Sequence, residues 1–221
     1  MGMDYFDPTT FQPERLMYWP SAPKDGEYFF SHQDGDPLSA DVVLGTYANW
    51  KDVSQWPVHP GEARQIREGV TTAQDPTEKT GIVGAFCRVY GITAAIDEFL
   101  GDVYELAGDG RYTYTGGSTS GGLVIYDDKF AYSHHGTDPA GGMLCNSFDL
   151  VRLHKYGRLD DRIKEDTLIN KRPSFMAMAD MARKLAEVNL DIVKQTTGKA
   201  QAAFADDPDA DEWLKTLETD K

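Results

Sequence analysis

From Arg111 to Gly157 the chain passes from strand-like alternation, through a hairpin, to a helical period. Arg111 to Thr115 alternates in the manner of a strand. Leu123–Tyr126 and Phe130–Ser133 are short β-rich runs on either side of a polar turn, Asp127-Asp128-Lys129, which predicts a hairpin. Gly116, Gly117, Gly121 and Gly122 bracket Ser118-Thr119-Ser120 and predict a loop between the first strand and that hairpin. After Ala140-Gly141-Gly142 the period becomes helical from Ser147 onward. Phe148, Leu150, Val151, Leu153 and Tyr156 form its apolar face, and Gly157 stands where a C-cap belongs.

The pattern is looser before this unit. Leu16–Trp19 and Glu27–Phe30 predict two short strands around the turn residues Ser21 to Gly26. Residues 39–56 are predicted to include a helix, which Trp56-Pro57 ends. Helices are also predicted over 60–74, 79–90 and 93–100, with Gly91 as a stop and Thr93 as a cap. Beyond the unit, 158–171 reads as a charged connector. Arg172-Pro173-Ser174 then opens the longest helix, with Phe175, Met178, Met181, Leu185, Val188 and Ile192 on one face and Gly198 as its stop. A further short helix is predicted in the tail. The elements predict an α+β fold, in which a small antiparallel β-hairpin or sheet packs with several helices. The expected segments are 1–58, 59–105, 106–157 and 158–221.

Composition supports a packed core: 40% of the 221 residues are hydrophobic, with 11 Tyr, 10 Phe and 4 Trp. No run of about 18 apolar residues predicts a membrane span, and the start of the chain lacks a signal-peptide pattern. The net charge of −14 argues against a protein that coats nucleic acid. The acid lies at the ends, however. Residues 1–60 carry 9 negative and 3 positive charges, and 205–221 carry 7 and 2. Residues 111–157 balance at 4 and 4, and 158–204 carry 9 positive and 7 negative. Any contact with DNA is therefore expected from the middle of the chain and the late helix.

Candidate chemistry is sparse. No phosphate-binding G-x-x-x-x-G-K-[ST] word occurs, and Thr196-Thr197-Gly198-Lys199 is only a fragment of one. The glycine-bracketed Ser-Thr-Ser loop could cradle phosphate, but it joins two strands instead of opening a helix. Asp34-Gly35-Asp36 has the D-x-D form of a two-metal polymerase site, set in a Gly-Pro loop that reads as a solvated turn. Arg64 and Arg67 share a helix face with Glu62 and Glu68, an ordinary solvated surface. His134 and His135 end a strand and so point to opposite faces. They could join Asp138 and Cys145 around a metal only if the loop folds back. The two cysteines, Cys87 and Cys145, form no CxxC pair, so no structural zinc is expected.

YDDKFAYSHHGTDPAGG and NSFDLVRLHKYG resemble a segment of phage and prophage primase–helicase proteins, including the virulence-associated protein E group. The resemblance extends to RLMYWPSAPKDGEYFF and GIVGAFCRVYGI. In that family the segment lies between an archaeo-eukaryotic-type primase domain and a helicase-like ATPase domain. The resemblance thus implies a middle region that begins downstream of the primase carboxylates and leads toward an ATPase. The unit is also similar to the zinc ribbon of bacterial primases, a hairpin followed by a helix, in a degenerate form that lacks the paired cysteines.

Three readings follow from the resemblance. The chain is a non-catalytic accessory region that positions single-stranded template, or couples primase to helicase. Lys129, His134, His135, Arg152 and Lys155 are then the candidate DNA contacts. Alternatively it is a nucleotidyl-transfer enzyme, in which Asp127, Asp128, His134, His135 and Asp138 hold divalent metal and nucleotide. The third reading is an architectural linker without a ligand. The implied partners are weakly bound single-stranded DNA and the adjacent primase and ATPase domains, with no membrane. The implied setting is the cytoplasm of a bacterial host cell. No cofactor is expected in this chain, and magnesium is expected for the full-length primase–helicase.

Overall fold

A computed structural model describes residues 24–27, 29, 31–37, 39–56, 60–164 and 166–204. The strand predicted at 16–19 and the tail helix lie outside the described residues, as does part of the strand predicted at 27–30. Seven helices and one five-stranded antiparallel sheet are present among the described residues, an α+β fold.

The sheet comprises β1 (Tyr104–Leu106), β2 (Tyr112–Tyr114), β3 (Leu123–Tyr126), β4 (Phe130–Ser133) and β5 (Leu144–Cys145), paired in chain order. The predicted hairpin is β3–β4, in the register Val124↔Tyr132 and Tyr126↔Phe130. Its turn is of type I′: Asp127 and Asp128 take φ of 52° and 56°, and Lys129 N–H donates to the Tyr126 carbonyl at 3.0 Å. β1 and β5 carry too few residues to show a period and were not predicted.

Alternation gives the sheet two different faces. Leu123, Ala131 and Cys145 point inward and are buried with Phe148, Leu150 and Val151 of α5 (Ser147–Tyr156). The same core takes in Phe86 of α3 (Gly81–Val89), Ile92 and Ile96 of α4 (Ile92–Phe99), Met178 of α6 (Pro173–Ala182) and Val188 of α7 (Ala186–Phe204). Residues from the expected segments 59–105, 106–157 and 158–221 thus share one core. Val124, Tyr126, Tyr132 and Leu144 occupy the outer face and are half-buried. There α2 (Pro60–Thr72) approaches β5: a side-chain carbon at Gly69 would lie 3.8 Å from Leu144 Cδ2.

Several expectations are corrected. The helix expected within 39–56 is present as α1 (Ala40–Leu44), but it ends at Leu44 and not at Trp56-Pro57, and a 3-10 turn follows at Val53–Gln55. Asp52 caps that turn by accepting from Ser54 N–H at 3.0 Å, and the stretch is pinned to the glycine-bracketed loop by Val53 N–H to Ser120 O at 3.0 Å. The long helix expected from 172 to 198 is broken into α6 and α7. Lys184 and Leu185 N–H reach back only three residues, and Asn189 Nδ2 donates to the freed Arg183 carbonyl at 2.6 Å. The break serves packing, because α6 lies on α5 while α7 lies on α3. The one apolar face is thereby divided between two partners.

Thr93 is not a cap either. It sits inside α4, whose N-cap position, Gly91, has no side chain to offer. The cap comes from the hairpin turn. Asp128 Oδ1 accepts from Thr93 N–H at 2.7 Å and from Thr93 Oγ1 at 2.9 Å, while its carbonyl accepts from Ile92 N–H at 2.9 Å. Glycine is required at 91, because a side-chain carbon there would lie 2.0 Å from Asp128 Oδ2. α6 is capped in the same way: Asp160 accepts from Ser174 N–H at 2.9 Å and from Ser174 Oγ at 2.6 Å. Asp128→Ala should therefore cost about 1–2 kcal/mol, the usual worth of a cap. Gly91→Ala should destabilise comparably by evicting the carboxylate. Urea denaturation measures both, and an unchanged midpoint in either would contradict the assignment.

Candidate nucleic-acid interface

The inner face of the sheet carries a buried polar network centred on Asp138. Its side chain is fully buried, and four donors converge on the two oxygens. Tyr104 Oη donates to Oδ2 at 2.7 Å and Ser133 Oγ to the same oxygen at 2.6 Å. Ala140 N–H donates to Oδ1 at 2.7 Å, and His154 Nε2 lies 3.2 Å from Oδ1. Tyr104 Oη is also 2.8 Å from His154 Nε2. The tyrosine has a single proton, which goes to the carboxylate, so the histidine must be the donor to both oxygens.

The protons are consistent only with an ionised Asp138. Burial pushes its carboxyl up, but the bonds from His154, Ser133, Ala140 and Tyr104 outweigh burial and hold it below the ordinary value. Tyr104 is driven the other way: burial first, then the Asp138 charge, keeps its phenol protonated.

His135 is the second centre. Tyr114 N–H and Gly122 N–H both donate to its Nε2 at 3.2 Å, so Nδ1 carries the proton and gives it to Thr119 Oγ1 at 2.9 Å. Burial lowers its pKa, and the Asp138 charge offsets this only in part, in keeping with a neutral ring. The contact explains the glycine at 122, where a side-chain carbon would lie 2.6 Å from Nε2. The Ser-Thr-Ser loop is thus fastened from inside by a histidine.

The residues expected to act together are dispersed. His135 and Asp138 belong to the interior network, and Cys145 lies buried on β5, its thiol pushed up to about 12 by burial and the Asp149 charge. Among the described residues, no group of three or more His, Cys, Asp or Glu side chains is placed to hold a metal ion. Asp128 caps α4, while Asp127 is exposed at the turn. Arg152 is only 6% exposed. It donates to Asp149 Oδ1 at 2.9 Å and Ser174 Oγ at 2.8 Å, with Asp160 Oδ2 at 3.7 Å, and so joins α5 to α6. Lys129 is paired with Asp75, whose carboxyl is held at about 2 by that bond and by Thr77. Lys155 is exposed on α5, on the inner side of the sheet. His134 is half-buried on the outer side, its ring 4.9 Å from Tyr132.

The outer face brings together a different set. Tyr126, Tyr132 and His134 stand on it half-buried. Arg111 and Arg67 lie close enough to Tyr126 to act electrostatically on its phenol. This is an aromatic surface with guanidinium groups beside it, the elements of a single-strand stacking platform. Beside Arg111 opens a polar cleft of about 110 Å³ lined by Asp52, Ser54, Asp109, Arg111, Ser120 and Gly121. Sequence reasoning did not single out Arg111, because it precedes a strand alone, without a basic run. It also missed Tyr104 and His154. For His154 a signal existed, since it lies one turn beyond Leu150 and Val151 on the buried face of the helix.

A family model described as the VapE N-terminal domain matches residues 1–59, which supports a relationship to VapE-type proteins. No curated protein and no solved structure matches the chain. No described helix is long and apolar enough to cross a membrane.

The Asp138 network generates a pH prediction. Its folded pKa lies below the unfolded value of about 3.9. Its contribution is therefore full above that value and is lost as pH falls through the folded pKa. Asp138→Asn should destabilise the protein by about 1–3 kcal/mol at neutral pH, because the buried donors of Tyr104, Ser133 and Ala140 lose their charged acceptor. It should also flatten the fall of stability below pH 4. Urea titrations across pH 2–7 test this, and parallel curves for both proteins would refute it.

Proposed function

We propose that this chain is a non-catalytic accessory module of a phage-type DNA-replication protein and holds single-stranded template on the outer face of its sheet. The match of residues 1–59 to the VapE N-terminal domain supports the replication context. The observation that carries the template role is the division of labour across the sheet. The inner face is consumed by the Asp138 and His135 networks, whereas the outer face offers Tyr126, Tyr132 and His134 with Arg67 and Arg111 at hand. The acids that a nucleotidyl transferase would need favour the accessory reading, since Asp128 caps a helix and Asp138 accepts four internal donors.

The architectural reading has its own support: Lys129 and Arg152, two of the expected DNA contacts, are spent on internal acids. The two readings differ in solution. A template-holding chain should bind a fluorescein-labelled oligothymidylate weakly in low-salt buffer. Because the protein is acidic and presents few cations, affinity should fall with salt at about 0.7 log units per log unit for each phosphate neutralised. Tyr126→Ala and Tyr132→Ala should each weaken binding by about 1–3 kcal/mol if the ring stacks a base. Lys155→Ala, on the other side of the sheet, should leave binding unchanged. Anisotropy titration measures all three. No binding at low salt, or sensitivity to Lys155 but not to the tyrosines, would leave the architectural reading standing.

A further inference from the structure

The cleft beside the stacking surface has an unusual mixture of charges. Arg111 is half-buried at its edge, and the one hydrogen bond its side chain makes among the described residues, Nη1 to the Gly121 carbonyl, is long at 3.4 Å. Most of its donor capacity therefore faces the cleft. Two carboxylates line the same space. Asp52 already accepts from Ser54 N–H and Gln55 Nε2, and Asp109 is exposed on the loop before β2. Two hydroxyls, of Ser54 and Ser120, complete the polar lining.

This mixture discriminates among ligands. The two carboxylates oppose a phosphate, and the guanidinium opposes a simple cation. A neutral group that presents acceptors and donors side by side suits both. A nucleobase edge is such a group, and Arg111, which lines the cleft, also lies close enough to Tyr126 to act on its phenol. Guanine matches best, because its O6 and N7 accept from an arginine in the commonest specific pairing. Its N1–H and N2–H₂ groups are donors that a carboxylate can take.

We propose that the Arg111 cleft is a guanine-selective pocket for single-stranded DNA, with Arg111 toward O6 and N7 and Asp52 or Asp109 toward the N–H edge. The inference rests on the template-holding reading of the outer face and adds base selectivity to it.

The test uses the full chain and fluorescein-labelled oligothymidylates that carry one central dG, dA, dC or dT. The dG oligonucleotide should bind about tenfold more tightly than the all-dT one, the discrimination of a single bidentate contact. Replacing the guanine by 7-deazaguanine, which lacks N7, or by hypoxanthine, which lacks the 2-amino group, should each remove part of that gain. Arg111→Gln should abolish the preference, so that the dG and all-dT oligonucleotides bind equally, with an unchanged melting temperature. Equal binding of the four oligonucleotides would overturn guanine selectivity and leave template binding intact. Equal loss of dG and dT binding in Arg111→Gln would assign the arginine to the phosphates and also overturn it. Absence of binding to every oligonucleotide would sink both this inference and the reading on which it rests.

Discussion

One buried carboxylate determines much of how this chain is put together. Asp138 follows strand β4 and collects donors from β1, from β4, from its own loop and from α5. An unpaired charge at that depth would cost several kcal/mol. The sheet and the helix must therefore meet in the one arrangement that delivers Tyr104 and His154 to its oxygens. Apolar packing around Phe148, Leu150 and Val151 supplies the driving force for that contact, whereas the polar network fixes its register. The neighbouring histidine performs a similar service for backbone groups: His135 accepts the N–H groups of Tyr114 and Gly122 at a point where the strands have diverged.

The hairpin turn extends the same logic to the helices. Asp128 reaches the N-terminus of α4, and Lys129 ties the turn to Asp75 after α2. α6 takes its cap from Asp160 and α7 is held to α3 by Arg88, which donates to Asp191 at 2.7 Å and to the Thr77 and Lys79 carbonyls. Asp128 and Asp160 are distant in sequence from the helices they cap. An acidic chain can thus spend part of its excess negative charge on helix dipoles and orphan N–H groups. The inward side chains are then occupied, and the proposed template contact is assigned to the outer face of the sheet.

Periodic features were legible in the sequence. The β3–β4 hairpin, the helix from Ser147 and the α+β class follow from alternation and turn residues that tertiary contacts do not override. Pairing partners were not legible. Nothing local shows that Asp128 would serve Thr93, thirty-five residues away, or that Arg152 would be drawn inward by Asp149 and Ser174. For this reason Arg152 and His135 read as surface contacts although they are buried. The break between α6 and α7 was hidden because Met178, Val188 and Ile192 keep a helical spacing across it, and only their different packing partners require a bend. Arg111 and its cleft are assembled from three separate stretches, so no single window of sequence could reveal them.

Backbone amide NMR during titration with a single-stranded oligonucleotide tests the two-faced account of the sheet most directly. The account predicts shift changes at Thr113, Tyr126 and Tyr132 and around Arg111, with Ala140, His154 and the α5–α6 contact unmoved. Changes concentrated on α5 near Lys155, with the outer strands silent, would contradict it.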